Sequence, residues 1–104
     1  MPPRGVPQHI VQRGNNRLPC FLDDTDRACY RQLLREALLA TGCKLHAYVL
    51  MDNHVHLLAS ADVAGAIGKF MQSAAGRYTR QVNRRWGRTG TLWEGRFRSC
   101  VVDS

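Results

Sequence analysis

The sequence has no Cys-x-x-Cys pair; its four cysteines, Cys20, Cys29, Cys43 and Cys100, are scattered. With no secretory leader in the opening MPPRGVPQ, that scatter argues against a disulfide framework and against a regular site of four soft zinc ligands. Cys29 falls within an apolar helical pattern and reads as a small core hydrophobe. No apolar run approaches the ~20 residues of a membrane helix. These absences predict a soluble, cytoplasmic protein. Internal repeats and low-complexity tracts are also missing, and 104 residues suffice for one domain around one core.

Lysine is scarce too, and so is acid in the last third. Thirteen of the fifteen basic residues are arginine. Residues 1–68 hold seven basic and six acidic side chains, whereas residues 69–104 hold eight basic and only two acidic. Arginine forks onto phosphate oxygens and stacks on bases better than lysine does. The pattern points to a polyanionic partner, with a merely solubilising basic surface as the alternative.

Periodicity supplies the elements. His9–Arg13 forms a short strand, closed by the turn cluster Gly14-Asn15-Asn16. Asp23 to Asp26 offers capping oxygens and negative charge at a helix start. Behind it Tyr30, Leu33, Leu34, Ala37, Leu38 and Thr41 share one helical face, and Gly42 is placed to end it. Lys44–Met51 and His54–Ser60 alternate as two strands of a hairpin around Asp52-Asn53; Leu45, Ala47 and Val49 face one way, His46, Tyr48 and Leu50 the other. A second helix spans Asp62 to Arg85, with Val63, Ile67, Phe70, Met71, Ala74, Tyr78 and Val82 on its core stripe. Lys69, Ser73, Gly76, Arg77, Arg80 and Arg84 lie on a second stripe. Phe97–Val102 makes a last strand. The order β-α-β-β-α-β predicts an α+β, ferredoxin-like domain, an antiparallel sheet with both helices on one face.

His54-Val55-His56 is the sharpest local feature. On a strand its two imidazoles share a face, with Cα atoms roughly 6.5–7 Å apart, and can converge on one divalent ion. Two hydrogen-bonded surface histidines are the plainer alternative. His9 and His46 become further ligands only if the fold brings them close; for His46 an ordinary hydrogen bond is the simpler expectation.

The string Tyr48-Val49-Leu50-Met51-Asp52-Asn53-His54-Val55-His56-Leu57-Leu58 resembles the signature of the tyrosine-dependent HUH transposases, named for histidine–hydrophobic–histidine. Within that class it is most similar to REP-associated tyrosine transposases and their insertion-sequence relatives. Three further blocks agree in order: HIVQRGNNR at residues 9–17, Gly76-Arg77-Tyr78-Thr79, and Gly90-Thr91-Leu92-Trp93-Glu94-Gly95-Arg96-Phe97. Together the four blocks run through nearly the whole chain.

The resemblance implies a domain that acts on single-stranded or hairpin DNA in transposition. It implies that His54 and His56 help hold Mg²⁺ or Mn²⁺, and that both monomers and homodimers occur. In such proteins a tyrosine attacks the scissile phosphate and forms a 5′-phosphotyrosine link. That tyrosine belongs to a Tyr-x-x-x-Asn-Pro segment, which is not among these 104 residues. The expectation is therefore a scaffold with its histidine pair but no family nucleophile; Tyr48 and Tyr78 remain as candidates, each with core or strand packing as the plainer reading. For DNA contact the expected set is Arg13 and Arg17 after the first strand, Arg77, Arg80, Arg84, Arg85 and Arg88 on and beyond the second helix, and Arg96. Trp93 joins them either as a base-stacking platform or as a core residue, and Trp86 is a second stacking candidate. The alternatives are a non-enzymatic nucleic-acid-binding module on the same fold, and a small metalloprotein or phosphoesterase unrelated to DNA.

Overall fold

The computed structural model describes residues 5–15 and 18–102; Arg17, expected to touch DNA, lies outside them. Six elements follow in the expected order: β1 (Gln8–Arg13), α1 (Asp24–Thr41), β2 (Lys44–Leu50), β3 (His54–Ser60), α2 (Ala66–Trp86) and β4 (Arg98–Val101). The sheet order is β2-β3-β1-β4 with every neighbouring pair antiparallel, the ferredoxin-like arrangement. Among the described residues no helix is long and apolar enough to cross a membrane.

Alternation along the central strands decides which face is covered. Ile10 on β1 and Val55, Leu57 and Ala59 on β3 are buried, and they join one cluster with residues of both helices. The other face receives no helix. On the covered side, α1 begins where the Asp23 side chain accepts a hydrogen bond from the Asp26 amide, and ends at left-handed Gly42, whose N–H donates to the Leu38 carbonyl. Between the caps Tyr30, Leu33, Leu34 and Ala37 face α2 and the sheet. Fully burying such a large apolar side chain stabilises the fold by roughly 1.5–3 kcal/mol.

Three expectations are corrected. The second helix starts at Ala66 rather than Asp62, because Gly65 adopts a left-handed conformation (φ 82°) that a helix cannot include. Val63, assigned to the core stripe, is consequently 70% exposed. The final strand is shorter than expected, beginning at Arg98, with Phe97 packed partly against the core just before it. In β2 the register slips between Leu45 and Ala47, a bulge at His46 that reverses the alternation. Leu45 pairs with Ala59 and Leu50 with Val55, so both reach the core although their spacing is odd. Tyr48, paired with buried Leu57, is thereby turned to the helix side.

A close approach fixes the tip of the β2–β3 hairpin. The Gly14 N–H donates to the Asn53 carbonyl, and the Cys20 N–H donates to that of Asp52. A Cβ on Gly14 would stand 2.7 Å from the Leu18 carbonyl oxygen and 2.9 Å from Cys20 Sγ. Since the nearer atom is backbone, the segment has to move. Gly14→Ala should lower stability by about 1–3 kcal/mol, read as an earlier midpoint in urea; an unchanged midpoint would show that the loop yields freely.

Candidate functional site

The helix-free face of the sheet carries most of the chemistry. Counting along the register, His9 and Arg13 of β1, His54 and His56 of β3 and Arg98 of β4 all fall on this face: Arg13 is opposite His54, and Arg98 opposite Val11, itself opposite His56. The His54 and His56 rings lie edge to face with centroids 4.9 Å apart. The His9 and His56 rings lie within 8° of parallel with centroids 5.2 Å apart, and His9 Nε2 is 3.0 Å from His56 Nδ1, an edge-to-edge contact. The fold thus brings His9 to the pair. It does not bring His46, whose Nε2 lies 2.7 Å from Ser60 Oγ.

The hydrogen bonds around the rings determine which nitrogens are free. His54 Nδ1 is 2.8 Å from Asn53 Oδ1, an atom that can only accept. The proton therefore sits on Nδ1, and in the neutral ring Nε2 bears the lone pair. The same follows for His56 when its Nδ1–H donates to His9. Partial burial, followed by the neighbouring His54, His9 and Arg13, holds the His56 imidazole below the usual histidine range. A neutral imidazole is the metal-binding form. The donor set suits a divalent cation held by two ε nitrogens, with Asn53 and His9 orienting the rings from behind. Among the described residues no group of three or more His, Cys, Asp or Glu side chains is arranged to hold a metal, so the pair supplies only part of a coordination shell.

None of the three tyrosines stands at this pair. Tyr30 and Tyr78 are fully buried, with ring centroids 5.1 Å apart, and the Tyr78 hydroxyl donates to the Cys20 carbonyl at 2.6 Å. Burial raises both phenols well above the usual tyrosine range, away from the phenolate a nucleophile needs. Tyr48, the other candidate, is on the opposite face because of the bulge.

The arginines divide into paired and unpaired. Arg85 bridges Asp23 and the buried Asp26, at 2.8 and 2.6 Å, and its hydrogen bond holds the Asp23 carboxyl at about 2. Arg77 pairs with Glu36 at 3.0 Å. These two charges tie α2 to α1 and its cap, so neither is a free cation like the rest of the expected strip. Arg80, Arg84, Arg88 and Arg96 have no carboxylate partner among the described residues. Trp93 is a core residue, 8% exposed, its Nε1–H donating to the Ala75 carbonyl, and is not a stacking platform. Trp86 is also engaged: Arg85 lies 4.5 Å over its ring, and its Nε1–H donates to Asp26.

Arg98 was not selected from the sequence, and His9 was named there only as a further ligand should the fold bring it close. Each carries a readable signal, since both alternate with inward residues, His9 with Ile10 and Arg98 with Phe97. What joins them to the histidine pair is strand order, which no local pattern gives.

The fold recurs in solved structures. The chain superposes on a candidate transposase of Deinococcus radiodurans R1 with a TM-score of 0.74 at 21% identity, covering 99% of this chain and 86% of that one. A REP-associated tyrosine transposase bound to a REP hairpin gives 0.72 at 14% identity, covering 97% of this chain and 58% of that one. No curated protein matches the sequence. The family described as "Transposase IS200 like" matches residues 5–104, and the chain belongs to that family.

Proposed function

We propose that this chain is a DNA-binding transposase domain whose open sheet face engages single-stranded or hairpin DNA, with His54 and His56 holding Mg²⁺ or Mn²⁺ beside the scissile phosphate. The observation that carries the reading is the histidine pair itself: both δ nitrogens are engaged from behind, and Arg13 and Arg98 flank the pair on a face without helices. When bound, the cation supplies Lewis-acid polarisation of the phosphate. The chain's own residues bind and orient. Arg13 and Arg98 neutralise backbone phosphates, while His9 and Asn53 fix the rings. Arg80, Arg84 and Arg88 add a second group of cations along and just beyond α2, on the helix side of the sheet. The structural neighbour bound to a REP hairpin supports a hairpin as the DNA form.

A second reading is DNA binding without chemistry by these residues. It is favoured by the placement of Tyr30, Tyr48 and Tyr78, none of which stands at the histidines. The experiment is a native-gel titration of labelled hairpin DNA with Mn²⁺ and with EDTA. A salt-sensitive shift strengthened by Mn²⁺ is expected. No shift in either condition would refute DNA binding, and a shift indifferent to EDTA would remove the metal from the site.

A further inference from the structure

Resting on that reading of the chain as a DNA binder, we infer that the groove between α2 and the β1–β4 edge is a pocket for one unpaired nucleobase. It lies on the helix side of the sheet, away from the histidines. Edge strand β4 is left uncovered by α2, which opens a cavity of about 860 Å³. A second cavity of about 540 Å³ adjoins it, sharing Gln12, Gly76 and Gly95.

The first observation is an unpaired acceptor. Gln12 is only 6% exposed and lines both cavities, yet among the described residues its Oε1 has no hydrogen-bond partner. A buried amide oxygen is costly to leave unsatisfied, so an atom of this kind marks a place where a ligand donor belongs. The second observation concerns glycine. Gly68 and Gly76 sit within α2, where glycine disfavours the helix. A Cβ on Gly68 would meet nothing within 4 Å, and one on Gly76 only Arg80 Nη1 at 3.7 Å. Neither glycine is demanded by the protein's own packing, and both keep the groove wall open.

The rim chemistry selects the occupant. Lys69 and Arg96 line the larger cavity and are exposed, positioned for phosphate oxygens. Phe97, half-buried, lines the same cavity and offers an aromatic surface for a base. A carboxamide inside, an aromatic wall and cations outside suit a nucleotide: the amide pairs with a base edge, the ring stacks, and the cations hold the backbone.

The test compares fluorescein-labelled oligo(dA) with an abasic oligomer carrying the same number of phosphates, at one salt concentration. The wild-type chain should bind oligo(dA) about tenfold more tightly, the worth of one stacked and hydrogen-bonded base. Gly76→Leu fills both cavities and should bring that ratio below about two while the melting temperature does not fall, since leucine favours a helix interior over glycine. Gly68→Leu and Gln12→Leu should lower the ratio independently, the first by filling the larger cavity and the second by removing the acceptor. A ratio unchanged in folded Gly76→Leu and Gly68→Leu would overturn the pocket, as would equal binding of the two oligomers by the wild-type chain. Equal, salt-sensitive binding would leave the DNA-binding reading standing, whereas binding of neither oligomer would overturn both.

Discussion

Replacing His54 and His56 together by alanine should weaken Mn²⁺ binding by more than about 100-fold, because outer-shell partners alone are worth about 10–100-fold in metal affinity. Isothermal titration, or the loss of free-Mn²⁺ resonance signal, reads the effect directly. The fold should survive, since both side chains lie on the open face and not in the core cluster. His9→Ala separates ligand from support. His9 contacts His56 Nδ1 rather than a free ε nitrogen, so its loss should cost about 10–100-fold and no more. Undiminished Mn²⁺ binding in the double variant would place the metal elsewhere or nowhere.

Reversing charge at Arg80 and Arg84 to glutamate should lower affinity for single-stranded DNA by at least about 100-fold at low salt. Each lost phosphate contact should also flatten the slope of log affinity against log salt by about 0.7. The two side chains are exposed on α2 and have no carboxylate partner among the described residues. Arg85→Glu is the informative contrast. That arginine is spent on Asp23 and Asp26, the latter with a side chain only 3% exposed. Its reversal should lower the melting temperature, by leaving a buried carboxylate unpaired, and should change the salt slope little. An unchanged affinity in Arg80→Glu/Arg84→Glu would remove the basic face of α2 from the account.

The features legible in the sequence were those fixed by short-range chemistry. Asp23 and Gly42 bound α1 because capping needs only oxygens and a left-handed residue at the right offsets. The hairpin around Asp52-Asn53 and the shared face of His54 and His56 follow from period-two alternation. The helix pattern also contained Gly65, but the stripe of apolar spacing ran through it, and backbone conformation prevailed over spacing. The bulge at His46 was not legible, since it is defined by pairing with β3; one extra residue then turned Tyr48 away from the histidine face. Arg85 was read as a phosphate contact, and Trp93 was left open between core and stacking, for a related reason. Their partners Asp23, Asp26 and Ala75 come from other elements, and an arginine run looks the same whether or not acids face it. The contact of His9 with His56 spans 47 positions and waited on strand order.

The central claim is that these residues bind DNA at a metal-holding histidine pair without supplying a nucleophile to it. The most direct measurement carries the labelled hairpin and Mn²⁺ mixture from the native gel onto a denaturing one. The account predicts a metal-strengthened shift on the native gel and no label retained on the protein in SDS. A metal-dependent adduct that survives SDS would contradict it, because a covalent nucleophile would then have to exist within these residues, in a position that buried Tyr30 and Tyr78 and helix-side Tyr48 do not occupy.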